Sequence, residues 1–345
     1  MRLPKVAQDR APLDRASAGD ALQTVETSVK GKWRHVPALH VNGYAIVAKG
    51  GWLRRAVIHD EEWLETALGD PEACIERLKG RAGRALKTDI FTFAQRVPDT
   101  APKFPYMREL ESIAVCHVTT FRDWWEALPQ ESRKNARRAQ KRGVAVSVRE
   151  LDDEFVRGIV EVNNDSPVRQ GVPFVHHGKT HEQVWKDQSS WLKQSDFICA
   201  YLGDELVGFL KLVYGRDTAS VLQLLPKASR YDVRPTNALI AKAVERCAEK
   251  GIPYFIYGHY SYGNQGATSL MEFKARNGFK EMFVPRYYVP LTLRGRLGLA
   301  VGLHHELVGR LPRSAVRLGV AIRSRWYDSR LSSGRCSSTS ERPKS

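Results

Sequence analysis

The chain has 345 residues, 42% hydrophobic and 27% charged, the composition of a globular protein with room for a sizeable core and about two domains. Its 54 Lys and Arg against 38 Asp and Glu leave a net charge of +16, which favours anionic partners such as nucleic acid, a phosphorylated co-substrate or anionic lipid. The five cysteines (Cys74, Cys116, Cys199, Cys247, Cys336) stand far apart without a C-x-x-C pair, which argues against a disulfide framework or a zinc cluster.

The opening MRLPKVAQDRAPLDRASAGD has no apolar secretory region, and no stretch reaches the roughly 18 apolar residues of a membrane span, so a cytoplasmic protein is expected. Residues 1–30 are polar and aperiodic and are expected to be disordered. A small α/β domain is expected over 31–126. YAIVAKGG (44–51) and WLRRAVIH (52–59) read as strands around a Gly-Gly turn. Asp60 reads as the N-cap of a helix EEWLETALGD. Asp70, Pro71 and Gly80 then mark the start and end of a second helix. DIFTFAQRV (89–97) and SIAVCHV (112–118) read as strands joined by the Pro-rich connector TAPKFPY.

A second domain, 127–292, is more regular. SRKNARRAQKRGV (132–144) sits in a helix with Pro129 near its start and Gly143 past its end. Its six bases cover about half the cylinder, opposite a narrow stripe of Leu128, Ala136 and Ala139. That pattern predicts a helix docked on the body with its basic half turned outward. A strand VAVSV (144–148) follows, then helices over 152–165 and 180–194 flanking the loop SPVRQGVPFVHHGK. Strands are expected at 197–202, 205–214 and 220–225, a helix over 237–250, a strand over 253–260, a helix over 269–278 and a strand over 280–291.

That order, β-α-α-β-β-β-α-β-α-β, is the order of the GNAT acyltransferase superfamily. GDELVGFLKLVYG resembles its second hairpin, and SLMEFKARNGFKEMFV resembles its closing helix-to-strand element. RKNARRAQKRGVAVSV resembles more narrowly the FemAB-like branch, whose members carry two GNAT-type domains in tandem. The resemblance implies an α/β (α+β) fold: a GNAT-like mixed sheet flanked by helices, with a degenerate first half and a complete second domain. One departure stands out. The superfamily's phosphate loop carries a Gln/Arg-x-x-Gly-x-Gly/Ala pattern, whereas PKASRYDVRPTNALIAKA (226–243) has no glycine to let backbone amides approach a pyrophosphate. FemAB-like members often lack that loop too.

Candidate site residues follow from both readings. Arg230, Arg234, Thr236 and Asn237, at a helix start, could hold the phosphates of a co-substrate, or form a plain cap with two surface arginines. Tyr257, His259 and Tyr260 gather at a strand end, where the fold resembled here places its cleft. Aminolysis needs a base for the attacking amine and a donor for the leaving group, tasks suited to His and Tyr. Arg169 and Gln170, in the long loop, could fix an acceptor carboxylate or sugar. Lys274 enters through the resemblance, as a helix lysine reaching the cleft. His176 and His177 are adjacent, a spacing poorly suited to a metal, and no metal site is expected.

The resemblance thus implies an N-acyltransferase that moves an acyl group from acyl-CoA to an amine of a small-molecule, lipid-linked, cell-envelope or polysaccharide precursor. An aminoacyl-tRNA donor acting on a peptidoglycan-type precursor is the alternative, and a non-catalytic anion- or RNA-binding relic is a second. Beyond this domain, 293–328 reads as a basic helical extension. Leu293, Leu297, Ala300, Val301, Leu307, Val308 and Leu311 fall on one side, and Gly295, Gly298, Gly302 and Gly309 on the other. With Arg313, Arg317, Arg323, Arg325 and Trp326-Tyr327, it suits either an anionic membrane surface at the inner face of the cell membrane or packing on the core. The tail 329–345 is expected to be disordered.

Overall fold

The computed structural model describes residues 22–29, 32–64, 67–169, 171–261 and 268–303. Strands β1 (Gln23–Val29), β2 (Lys32–Val41), β3 (Tyr44–Lys49) and β4 (Arg55–Ile58) run antiparallel, each paired with the next. Asn42 and Gly43 make the β2–β3 turn, both at positive φ, which a two-residue hairpin of this twist requires. Helix α1 (Pro71–Lys79) starts where expected: the Asp70 side chain accepts from the Ala73 amide at 3.1 Å, and Pro71 takes the first position. After the short α2 (Arg81–Ala85), β5 (Ile90–Ala94) returns parallel to β4.

The same motif then recurs. β6 (Met107–His117), α3 (Phe121–Ala127) and α4 (Gln130–Lys141) lead into β7 (Val144–Arg149) and α5 (Asp153–Asn164). A two-residue ladder, β8 (Val168–Arg169) with β9 (Val172–Pro173), precedes α6 (His181–Gln188). β10 (Ser195–Leu202), β11 (Glu205–Tyr214) and β12 (Thr218–Pro226) follow, then α7 (Pro235–Glu249), β13 (Tyr254–His259), α8 (Ser269–Arg276), β14 (Lys280–Pro290) and α9 (Leu293–Ala300). In the sheet β7, β10, β11 and β12 are antiparallel neighbours, and β13 is parallel to β12 across α7, just as β5 is parallel to β4 across α1 and α2.

The two repeats exchange a strand. β6 follows the first repeat in sequence yet pairs with β13, while β14 follows the second and pairs with β5. β6 and β14 pair with each other, so the repeats fuse into one 12-stranded sheet ordered β1-β2-β3-β4-β5-β14-β6-β13-β12-β11-β10-β7. The result is the mixed α/β fold expected from the sequence, a large mixed sheet flanked by helices. On one face α7 lays Leu239, Ile240, Ala243 and Val244 over Ile198, Leu212 and Phe255. On the other, α5 and α6 bury Phe155, Ile159 and Val184 against Phe197, Cys199 and Phe209. Covered on both faces, β11 reads as a near-continuous apolar run.

Three expectations need correction. Residues 23–29 form β1 rather than a disordered arm; QTVETSV is an edge strand, and its polar side chains hide a ladder made by the backbone alone. The helix expected after Asp60 is, among the described residues, a single 3-10 turn, Glu61–Trp63. Asp60 sits at φ 56 and makes no side-chain cap, and Glu61 instead accepts from the Ala94 amide at 2.7 Å. The helix expected over 180–194 stops at Gln188, and Trp191 at φ 60 separates it from a 3-10 turn, Leu192–Gln194. The arm before residue 22 and everything after residue 303 lie outside the described residues.

Candidate functional site

β12 and β13 pair only through Thr218–Ser220 against Tyr254–Ile256. Beyond that point β13 continues along β6 past a bulge between Ile256 and His259, while β12 continues along β11 to Pro226. The strands splay, and a cavity of 350 Å³ opens beside the gap. Ser220, Ile256 and His259 reach it from the second repeat; Trp63 and Arg96 reach it from the first. A second cavity of 520 Å³, lined by Trp33, His176 and Gln223, shares Trp63 with it. A cleft therefore runs across the junction of the repeats.

Its floor is charged. Arg286 on β14 donates to Glu61 at 2.9 Å and to Glu111 on β6. Burial alone would pull the Arg286 guanidinium down, but the two carboxylates outweigh it and hold it above its ordinary range. Arg96 donates Nη2 to the Glu62 carbonyl at 2.8 Å, yet its buried Nη1 finds no partner among the described residues, and burial lowers its pKa. None of these four residues was singled out from the sequence. The available signal was a charged side chain inside an apolar strand pattern, as in IFTFAQR and VPRYYV.

His259 is the member of its cluster that lines the cavity. Tyr257 and Tyr260 lie against the opposite core, with Phe279 and α7. Lys274 on α8 links the two sides: it is 1% exposed, donates Nζ to the His259 carbonyl at 2.5 Å and sits 4.7 Å from the Tyr257 ring centroid. Burial pushes its pKa down to about 8. Lys274 thus braces the strand end that carries His259 and does not itself line the cavity.

The acceptor-loop expectation changes. Arg169 donates to the carbonyls of Pro226 (2.7 Å) and Val162 (2.9 Å) and stacks on Phe174, so it clasps its loop to the end of β12 instead of presenting a fork to a ligand. Gln170 lies outside the described residues.

The glycine-free loop before α7 is already neutralised in part. Asp165 accepts from the Ser229 amide at 2.9 Å and its hydroxyl at 2.6 Å. Burial pushes this carboxyl up, but the bonds from Ser229 and the Ala228 amide outweigh that and hold it below its ordinary value. Arg230 pairs with Glu205 at 2.7 Å. Arg234 occupies the left-handed region (φ 57, ψ 43), a conformation costing a non-glycine about 1 kcal/mol. It is exposed at the start of α7, whose first turn has no side-chain cap. Thr236 is half-buried there, and Asn237 donates to the Asn277 side chain at 3.2 Å. Of the four expected anion contacts, Arg230 and Asn237 are engaged internally, and Arg234 and Thr236 stand at the helix start.

The basic helix docks as its pattern predicts. Ala139 is fully buried, Leu128 is buried beside it, and Lys134, Arg137, Lys141 and Arg142 are exposed. Arg137 lies over Trp125 at 5.4 Å, and Arg142 pairs with Asp232 in the loop before α7. Among the described residues no three His, Cys, Asp or Glu side chains converge as metal ligands, and no helix is long and apolar enough to cross a membrane.

Residues 130–275 match the family model described as an acetyltransferase (GNAT) domain. Among solved structures, that of FemX aligns with TM-score 0.51 and 10% identity over 81% of this chain and 90% of its own. L-PGS from Bacillus licheniformis aligns with TM-score 0.48 and 16% identity, over 75% of this chain and 85% of its own. A tandem GNAT protein from the clavulanic acid biosynthesis pathway aligns with TM-score 0.41 and 10% identity, over 75% and 83%. No curated protein matches the sequence. The matched segment begins at α4 and covers the splayed strands and nearly all of α8, so this stretch is similar to a GNAT acetyltransferase domain, and the chain shares its overall fold with FemX.

Proposed function

We propose that the protein is an N-acyltransferase that joins an activated acyl group to an amine held in the cleft between its repeats. The observation that carries this reading is the splay of β12 and β13, which opens beside a cavity lined by His259. In the proposed step the amine nitrogen bonds to the donor's carbonyl carbon, and the bond from that carbon to sulfur or oxygen breaks. His259 takes the amine proton, and the leaving atom receives one in turn. Lys274 acts as a positioning residue by holding the His259 carbonyl. Arg96, with one donor unpartnered in the same cavity, would receive an anionic group of the acceptor, a small molecule or a lipid-linked precursor in the cytoplasm.

Acyl-CoA is the donor of this reading, with its phosphates at Arg234, Thr236 and the uncapped first turn of α7. An aminoacyl-tRNA is a second reading, favoured by one observation: Asp165 and Glu205 already occupy the loop amides and Arg230 that a diphosphate would use, while α4 keeps its exposed bases. Purified protein is titrated with CoA and with charged tRNA, and transfer to amine acceptors is followed with labelled donors. Stabilisation by CoA and labelled amide product support the first reading; response to charged tRNA alone replaces it with the second. His259→Ala should lower kcat by about 10²–10⁴, and full turnover by that variant removes His259 from the chemistry.

A further inference from the structure

Helix α9 is built inside-out. A Cβ on Gly295 would lie 2.0 Å from the Asp89 carbonyl oxygen, and one on Gly298 would lie 2.8 Å from the Leu53 side chain. The glycine stripe is therefore the packed face: Gly295 lies against the backbone of Asp89 just before β5, and Gly298 lies against the Leu53 side chain before β4. The apolar stripe is left outside: Leu293 is 76% exposed, Leu297 69% and Val301 62%, one turn apart along the helix. Trp52 is 67% exposed, and its ring lies 5.9 Å from the Arg294 guanidinium, which also pairs with Asp89 at 2.9 Å.

The charge around this stripe indicates what covers it. Arg294 and Arg296 are the charged residues of α9, and the chain from 304 to 345 holds nine Lys or Arg against three Asp or Glu. A second copy would bring cationic surfaces together, and folding the cationic remainder of the chain back would do the same. A bilayer with anionic headgroups offers opposite charge outside and hydrocarbon inside, and tryptophan and arginine beside leucine suit its interface.

We propose that Leu293, Leu297 and Val301 with Trp52 form a docking face for an anionic lipid surface. The face also sits beside the candidate site. Side chains alternate along β14, so Tyr288, which packs with Leu299 under α9, shares its sheet face with Arg286 and Val284 of the cavity. One two-residue step, about 7 Å, separates Tyr288 from Arg286. Docking through α9 thus brings this face of the sheet, with the cleft, toward the lipid headgroups. The docking face stands independently of the acyl-transfer reading.

The test uses the full chain with vesicles of pure phosphatidylcholine and vesicles carrying phosphatidylglycerol, read by co-flotation. The protein should partition onto the anionic vesicles, and Leu293→Gln/Leu297→Gln should weaken partition at least tenfold with an unchanged circular dichroism spectrum and Tm. Raised salt should weaken binding of the wild type without abolishing it. Equal partition by the double variant would leave only the cationic chain as the contact and overturn the proposal. A wild type that ignores vesicles and is dimeric, becoming monomeric in the double variant, would assign the face to a second copy. A monomeric wild type that ignores vesicles would refute a lipid docking face outright.

Discussion

Replacing Lys274 with Met isolates the cost of holding an ammonium group inside the domain. Lys274 is 1% exposed, and burial moves its pKa from 10.5 to about 8. Because the side chain is out of solvent, little screening discounts this displacement, which corresponds to about 3 kcal/mol. The sign follows from proton binding. Between about pH 8 and 10.5 the unfolded chain keeps the proton that the folded chain has lost, so raising the pH stabilises the fold. The destabilisation is fully present below about pH 8 and fades toward 10.5. From about pH 7 to about pH 9 the wild type should gain about 1 kcal/mol that Lys274→Met does not. Met also removes a donor from the His259 carbonyl, a loss of about 1–3 kcal/mol that is independent of pH. Urea unfolding of both proteins at the two pH values measures the gap. A gap that stays constant would mean that Lys274 remains protonated and hydrated, and the buried-brace argument would fail. The same variant tests positioning: kcat should fall while donor KM is nearly unchanged, because His259 is displaced and donor contacts are not.

Lys211 offers a stronger case of the same physics. It is fully buried, donates to the Gln188 and Ser190 carbonyls, and has its pKa pushed down to about 7, so wild type should gain about 2 kcal/mol over Lys211→Met between about pH 7 and 9, read by the same unfolding series. Gly295→Ala should destabilise the protein by about 1–3 kcal/mol in thermal unfolding, because its Cβ meets the Asp89 carbonyl at 2.0 Å, whereas Gly51→Ala, with open space around it, should be nearly neutral.

The second repeat was legible because its elements carry strong periods and punctuation: Pro129 and Gly143 around α4, turns at Gly203 and Gly215, a continuous apolar run for β11. His259 was legible as a polar residue at the end of an apolar strand, and Lys274 through resemblance, although its actual partner is a backbone carbonyl. Arg169 looked free because a guanidinium in a loop carries no sign of the carbonyls it will meet; Pro226 is 57 residues away. Arg96, Glu61, Glu111 and Arg286 converge from four separate stretches of chain, and only strand pairing brings them together. β1 escaped detection because an edge strand needs few apolar residues, and the exchange of β6 and β14 leaves no local trace at all.

That exchange bears on what a domain means here. The boundary drawn from sequence at 126/127 passes after β6, yet β6 is the neighbour of β13, pairing Phe255 with Cys116 and Ile256 with Val115. A fragment of residues 127–292 would keep α7 and the splayed strands but lose that partner. The edge of β13 would then present unpaired backbone flanked by Phe255 and Ile256, an arrangement that favours aggregation. Glu111 would go with β6, leaving Arg286 without one of its two carboxylates, and Glu61 would go with the first repeat. β14 would also lose both of its sheet neighbours, β5 and β6, and with them every strand that ties it to the sheet. The fragment should therefore be insoluble or molten when expressed alone, while residues 22–303 remain cooperative in thermal unfolding. A soluble fragment 127–292 with a sharp transition would show that the second repeat folds independently of the shared strands, and the claim that the cleft needs both repeats would have to be abandoned.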